Sequence, residues 1–301
     1  MAEKFREFLD AAQEIDSLNL EGYFGEKAKS LTAKRDSMDL SDFFVECIDG
    51  WIKDTNQYGK ESVKGLILVF LKLYTEAIHA GGQTAIDVLS GFLGGFPENP
   101  ETECLSSFTE FARSNVETKA LIQQLKNKMH LSIGDKKRLG NSILEMYRKG
   151  VELIGKILTS CILLKQIANG ETIEPMNIYT KTLGKKTEQF LDLSKGKYDI
   201  FIDAIDRGIR NAEAHLDIRF HPGRGTFYLK VKQGNRIKTK EISVDQMIFK
   251  IFPKVGWIVQ AFTYSSMLLV LCGTEPTKFK NVTNRIYHLE FTSKSVDAQG
   301  F

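Results

Sequence analysis

The hydrophobic period of this 301-residue chain changes once, near residue 217, and that change limits the possible folds more than any other feature. Before it, apolar residues recur at the three- and four-residue spacing of a helix face. "EKFREFLDAAQEI" sets Phe5, Phe8, Leu9 and Ala12 in one stripe, and "DLSDFFVECIDGWIKD" carries a similar stripe behind a predicted Ser41 cap. "ESVKGLILVFLKLYTEAIHA" is apolar around most of its circumference, which predicts a central, buried helix, and "QTAIDVLSGFLGGF" adds a shorter one. After it, "TFYLKVK" alternates with period two, setting Phe227, Leu229 and Val231 on one face and Tyr228, Lys230 and Lys232 on the other. The turn signal "QGN" and a second alternating run, "RIKTKEI", complete a β-hairpin predicted over 226–242. The expected class is mainly α: a helical bundle with a small C-terminal β-hairpin inserted before the last long helix.

Between these elements the breaks are legible. "GGFPENPETE" (94–103) interrupts the first half, and a long helix is predicted over 104–130. "HLSIGDKKRLGN" reads as a loop or short turn, followed by a strong helix over 141–168 that closes at Asn169-Gly170. Another helix is predicted over 176–192, and "DLSKGK" introduces one over 198–217. Ser243 is placed to cap the last long helix, with a kink near Pro253, and the tail "FKNVTNRIYHLEFTSK" reads as a further strand pair. The expected division is a helical N-terminal region over 1–130, without an assigned role, and a helical domain with the hairpin over 131–301.

Composition narrows the function classes. Apolar residues make up 42% and charged residues 26%, ordinary for a soluble globular chain. The runs "GLILVFL" and "SSMLLVLC" are too short to span a bilayer and the first residues are charged, so a cytoplasmic protein without membrane attachment is expected. Cys47, Cys104, Cys161 and Cys272 show no C-x-x-C spacing, and the histidines do not cluster with carboxylates. Buried reduced thiols are expected, with no metal site and no cofactor. Phosphate-loop, G-x-S-x-G and H-E-x-x-H patterns do not occur.

Charge is unevenly spread. Residues 1–60 hold 13 acidic against 8 basic residues. Residues 218–240 hold Arg219, Arg224, Lys230, Lys232, Arg236, Lys238 and Lys240 with no acidic residue. Such a surplus suits a polyanion, and equally suits a hairpin kept soluble by its lysines.

"RGIRNAEAHLDIRF" (207–220) is the candidate chemical segment. On a helix of 100° per residue, Ile202, Ile205, Ile209, Ala212 and Leu216 fall in a band of roughly 80°, the predicted core face. Arg207, Asn211 and His215 form one stripe on nearly the opposite side, with Arg210 at the flank. His215 has an unperturbed pKa near neutrality, which suits general acid/base work. Arg210 offers a fixed fork of donors for phosphate oxygens, and Asn211 can orient a partner by hydrogen bonding.

"IRNAEAH", late in a helical chain and leading into a hairpin and a further helix, resembles the HEPN superfamily over residues 135–272. The family's ribonuclease members are compact helical bundles with an Arg-x4-6-His signature and commonly a polar residue after the arginine. Arg210, Asn211 and His215 match it. Some members carry an acidic and a basic residue four apart on an earlier helix, and Glu145/Lys149 and Glu152/Lys156 have that spacing; both also read as surface ion pairs. The resemblance implies metal-independent endonucleolytic cleavage of RNA by its own 2′-hydroxyl. The products would carry a 2′,3′-cyclic phosphate and a 5′-hydroxyl. It also implies a homodimer joined through the motif helix, and a role in phage defence, abortive infection or a toxin–antitoxin pair, with an inhibitory or activating partner.

Arg207 and His221 are supporting candidates, and Arg224, Tyr228, Lys230, Lys232, Arg236, Lys238 and Lys240 are the expected RNA contacts, with Tyr228 placed to stack on a base. Two other readings stay open: a non-catalytic RNA-binding or regulatory helical module, and a helical interaction scaffold unrelated to nucleic acid.

Overall fold

The computed structural model describes residues 6–55, 57–205, 218–233 and 236–297. In chain order the helices are α1 (Arg6–Leu20), α2 (Glu26–Arg35), α3 (Leu40–Lys53), α4 (Lys60–Gly81), α5 (Gln83–Gly94), α6 (Leu105–Lys126), α7 (Ile133–Ala168), α8 (Pro175–Tyr179) and α9 (Leu183–Ser194). Strands β1 (Ile218–His221), β2 (Thr226–Gln233) and β3 (Arg236–Ser243) follow, then α10 (Phe252–Thr274) and α11 (Pro276–Asp297). The mainly α class with a small β element ahead of the C-terminal helices is the fold observed. Two compact units divide the chain: Met1–Glu14 with Glu76–Val259, and Ile15–Thr75 with Gln260–Phe301. The boundary expected at 130/131 falls inside the first of these, between α6 and α7.

The first unit is organised around α7, a 36-residue helix that begins eight residues before the predicted start. The segment read as a loop holds a capping box: Asp135 N–H donates to Ser132 Oγ at 3.0 Å, and Ser132 N–H donates to the Asp135 carboxylate at 3.2 Å. Its glycines are packing devices. A Cβ at Gly140 would lie 2.5 Å from the Phe220 ring of β1, and one at Gly150 would lie 2.5 Å from Val255 of α10 and 2.8 Å from Phe111 of α6. Glycine costs helix propensity by up to about 1 kcal/mol, and here it admits close neighbours in return. Toward its C-terminal end nearly every α7 side chain is buried, Ile157 to Leu164 among them. Thr118 on α6 hydrogen-bonds Ser142 at 2.7 Å, and Lys149 reaches Glu110 of α6 at 2.6 Å.

The predicted 176–192 helix is two helices, because Thr182 starts a new one by accepting from Lys185 N–H. Lys195 (φ 49°) and Gly196 (φ 75°) reverse the chain after α9. Tyr198 and Phe201 then stack with each other and with Phe190, ring centroids 6.0–6.2 Å apart. Glu76 ties this turn down, accepting from Lys197 and from the Tyr198 hydroxyl, with Lys165 at 3.5 Å. Burial alone would raise the Glu76 pKa, but these cations and the hydroxyl hold it below its ordinary value.

In the second unit, α3, residues 60–75 of α4, the latter part of α10, and α11 supply the core, with Ile48, Val63, Ile67, Phe70, Leu268, Val282 and Ile286 at most 0–2% exposed. The Phe70 and Phe262 rings meet edge-on at 5.5 Å, and Trp51 and Tyr264 lie 4.9 Å apart. The α4 run is less enclosed than its apolar circumference suggests, since Leu68 is 52% exposed. Asp39, not Ser41, is the N-cap of α3, and the Ser41 hydroxyl instead accepts from Lys278 at 2.8 Å. The tail read as a strand pair is α11, a helix whose Val282 and Ile286 are buried four residues apart.

The Ser243 cap is present, with Gln246 closing the box. A π-helical turn over Met247–Ile251 then precedes Pro253, the position near which a kink was expected. Proline has no N–H for the normal ladder, and the wider turn is where the hydrogen-bond register adjusts. One consequence corrects the estimate of apolar length. Helix continues from Val244 to Thr274, with mean hydropathy 1.6 over its best window, so it is long and apolar enough by length and composition to cross a membrane. Unbroken apolar runs underestimate such a helix because Lys250, Pro253 and Lys254 interrupt the letters but not the backbone. In that window 44% of residues are buried inside the protein.

Candidate nucleic-acid interface

The predicted hairpin is two strands of a three-stranded antiparallel sheet of order β1-β2-β3. β1 pairs with β2 through Ile218↔Leu229, Arg219↔Tyr228, Phe220↔Phe227 and His221↔Thr226. Sequence reading passed over β1 because four residues of mixed character, "IRFH", give too few alternations to register as a strand. Its Phe220 ring fills the space left by Gly140 and meets the Phe227 ring at 4.9 Å, which seats the sheet on α7. Phe227, Leu229 and Ile242 are 0–3% exposed beneath it.

On the other face the β1–β2 turn builds a polar cluster. Gly225 (φ 60°) permits the tight return, and its N–H donates to the His221 carbonyl at 3.0 Å. Arg224 N–H donates to His221 Nδ1 at 3.2 Å, which leaves the neutral ring's proton on Nε2. The Arg224 guanidinium donates to the Tyr228 hydroxyl at 3.1 Å, and the His221 and Tyr228 rings meet edge-on at 6.0 Å. Arg219 stands directly across from Tyr228, and Lys230 follows two positions on along β2. Histidine, arginine, lysine and an aromatic ring therefore share one exposed face. The cluster also includes one acidic neighbour, since Glu241 is in register with Tyr228.

Strand parity divides the basic residues expected to act as one footprint. Lys240 is opposite Leu229, Lys238 opposite Val231 and Arg236 opposite Gln233, so these three belong to the parity of the apolar face, on the edge strand β3. Arg219, His221, Arg224, Tyr228 and Lys230 remain together. Lys232 occupies the register position opposite Ile237, and its side chain is outside the described residues. A polyanion lying on the Tyr228 face meets one subset, and β3 presents the other along an edge where lysines discourage strand addition.

Arg207, Arg210, Asn211 and His215 lie outside the described residues, as do Ile209, Ala212 and Leu216. The approach to them differs from the predicted helix over 198–217. Asp199–Phe201 form a 3-10 turn and residues 202–204 a further turn, so the 100° wheel does not apply to Ile202 and Ile205. Phe201, Ala204 and Ile205 are buried while Ile202 is half-buried. The Tyr147 hydroxyl donates to the Ala204 carbonyl at 3.3 Å, and Lys254 pairs with Asp203 at 3.5 Å, so the entry to the motif segment is held in place.

Compared with known proteins, the chain matches no family model, no curated sequence and no solved structure. The site is therefore argued from its own residues. Among the described residues no group of three or more His, Cys, Asp or Glu side chains is placed to hold a metal ion. Of the two acidic–basic pairs on α7, Lys149 lies 3.8 Å from Glu145 and bonds Glu110 as well, so that pair is part of an ion network. The other pair does not form: Glu152 bonds Arg148 at 3.1 Å, and Lys156 turns to the Glu103 carbonyl at 3.0 Å.

The cysteines follow the expected pattern in part. Cys104 and Cys161 are buried thiols, Cys47 is half-buried and Cys272 is exposed. Burial pushes the Cys104 thiol up to about 12 and Cys47 up to about 11. Near Cys104 the fold assembles a cluster that spacing did not reveal: Lys156, Lys186 and Tyr179. The available signal was Lys186, a lysine on the buried stripe Leu183, Lys186, Thr187, Phe190 of α9.

Proposed function

We propose that this protein is a metal-independent endoribonuclease of HEPN type. The observation that carries the reading is the His221–Arg224–Tyr228 face with Arg219 and Lys230, built on the strands that directly follow the Arg210-Asn211-His215 segment in the chain. Arginine and lysine there supply phosphate contacts, and the Tyr228 ring supplies a surface on which a base stacks. His215 takes the 2′-hydroxyl proton as general base and returns a proton to the departing 5′-oxygen. Arg210 offsets charge on the phosphorane, and Asn211 orients the attack. Arg207 and His221 assist. A homodimer joined through the motif helix forms the composite site, and a regulating partner restrains it, as a defence or toxin nuclease requires.

The test is RNA cleavage by wild type, His215→Ala and Arg210→Ala in excess chelator. Wild-type cleavage with 2′,3′-cyclic phosphate ends, lost in both variants, is expected; equal cleavage in all three, or none by wild type without metal, overturns the assignment. A non-catalytic RNA-binding module rests on the same sheet face, which needs no motif to bind. In that case His215→Ala leaves RNA affinity unchanged and no cleavage is seen at all.

A further inference from the structure

Helices α6 and α7 run antiparallel, and the turn that joins them is unlike an ordinary surface turn. Lys149 bonds Glu110 at 2.6 Å and Thr118 bonds Ser142 at 2.7 Å, so the facing residues converge on an apex near residue 130. Exposed turns are normally built from polar residues and glycine. Here the apex carries Met129, 94% exposed, and Ile133, 72% exposed, four residues apart. Apolar residues scattered singly over a surface need no explanation, but two within one short turn form a patch.

The turn is held at both ends. Lys128 N–H donates to the Leu125 carbonyl at 3.1 Å as α6 closes, and the Ser132–Asp135 box opens α7. Charge around it is one-sided. Residues 118–144 hold six cations, Lys119, Lys126, Lys128, Lys136, Lys137 and Arg138, against one carboxylate. That carboxylate, on Asp135, is occupied, accepting from Lys128 at 2.9 Å and from the Ser132 hydroxyl at 2.9 Å. Lys126, Lys136, Lys137 and Arg138 form no ion pair among the described residues, and Lys126, Lys137 and Arg138 are exposed. The same stretch has no Phe, Tyr or Trp, so it offers no large ring on which a base stacks. What it presents is an aliphatic pair between cations of two helices.

We propose that the α6–α7 turn docks on an anionic lipid surface, with Met129 and Ile133 entering the headgroup layer and Lys126, Lys136, Lys137 and Arg138 meeting the lipid charges. Buried apolar area and a basic patch are the two signals that together give reversible attachment to a membrane surface, where either one alone is weak. An RNA backbone satisfies the cations but leaves the aliphatic pair in water. The expectation of no membrane attachment rested on spanning length, which a surface contact does not require. The turn lies within the first unit, and its role does not depend on the RNA reading of the sheet face.

The experiment sediments the full chain with vesicles of phosphatidylcholine alone and of equal parts phosphatidylcholine and phosphatidylserine. Binding to the mixed vesicles only is expected, weakening as salt rises from about 0.1 M to about 1 M. Met129→Ser with Ile133→Ser should weaken it by roughly tenfold and leave the melting temperature unchanged, since both side chains are exposed. Lys136→Gln with Lys137→Gln should weaken it by more than roughly tenfold, from about fivefold for each cation near the surface. Met129→Trp supplies a direct readout of insertion: its emission, with the wild-type signal of Trp51 and Trp257 subtracted, should shift to the blue with mixed vesicles and stay in place with RNA. No binding to mixed vesicles, or binding unchanged in either double variant, would overturn the proposal. An emission shift with RNA and none with vesicles would assign the turn to nucleic acid and overturn it equally.

Discussion

Arg219 and Lys230 lie on one face of the small sheet, and Lys238 and Lys240 have the parity of the other, yet all four belong to a single basic stretch of sequence. The first pair shares its face with His221, Arg224 and Tyr228, which hydrogen bonds and an edge-on ring contact join into one cluster. The second pair stands on an edge strand, opposite apolar residues of β2. A count of charges treats these as one patch. Register separates them, because a one-residue step along a strand moves a side chain to the opposite side. On the proposed ribonuclease reading, the first pair recognises RNA and the second protects the sheet edge.

The strongest way to break this comparison is to remove the sheet's seat. A Cβ at Gly140 would stand 2.5 Å from the Phe220 ring. Gly140→Val should therefore lower unfolding free energy by about 1–3 kcal/mol, the usual cost of overpacking, and should abolish RNA binding on the Tyr228 face. Denaturant melts read the first effect and RNA titration the second. Stability within about 0.5 kcal/mol of wild type would show that β1 does not dock on α7 in solution.

Charge reversal on one face comes next. Arg219→Glu with Lys230→Glu should weaken RNA binding by roughly tenfold to a hundredfold near 0.1 M salt, and should flatten the salt dependence by about 0.7–0.9 for each phosphate contact removed. Unchanged affinity and slope would mean that RNA does not lie on this face.

How much of this was legible varies with the kind of information needed. The helical class, the β2–β3 pairing and the Ser243 cap follow from local period and capping chemistry, which neighbouring letters encode. The start of α7 was missed because Gly134 and Gly140 look like loop residues until Phe220 and the Ser132–Asp135 box are seen beside them. The α11 tail failed differently. Its polar and β-branched residues read locally as strand, and the packing of Val282 and Ile286 into the second unit's core decided for helix. The division of the basic residues needed the register of β3, and the Lys156–Lys186 cluster needed three separated segments brought together. Arg210, Asn211 and His215 rest on their letters and the resemblance those letters carry.

The Tyr228 ring and its hydroxyl can be separated. The hydroxyl accepts from Arg224, which positions an exposed guanidinium, while the ring is the surface on which a base would stack. Tyr228→Ala should cost roughly tenfold in affinity, within the range of about 1–3 kcal/mol for one stacked base. Tyr228→Phe keeps the ring and should stay within about twofold, since a single exposed hydrogen bond contributes little net free energy. Equal losses in the two variants would move the recognition role from the ring to the Arg224 guanidinium that the hydroxyl holds.

Lys238→Thr with Lys240→Thr is expected to have the smallest effect on RNA and a different effect on the protein. Removing charge far from the bound strand should change affinity by less than about threefold, through long-range attraction alone. The same change removes the two lysines from β3, whose outer side has no partner strand among the described residues. Unpaired N–H and C=O groups along an uncharged edge invite strand addition between copies. Self-association, followed by light scattering against protein concentration, should therefore rise while RNA affinity holds. An affinity loss as large as that of the Arg219/Lys230 pair, without added self-association, would show that RNA wraps the edge and contacts both faces.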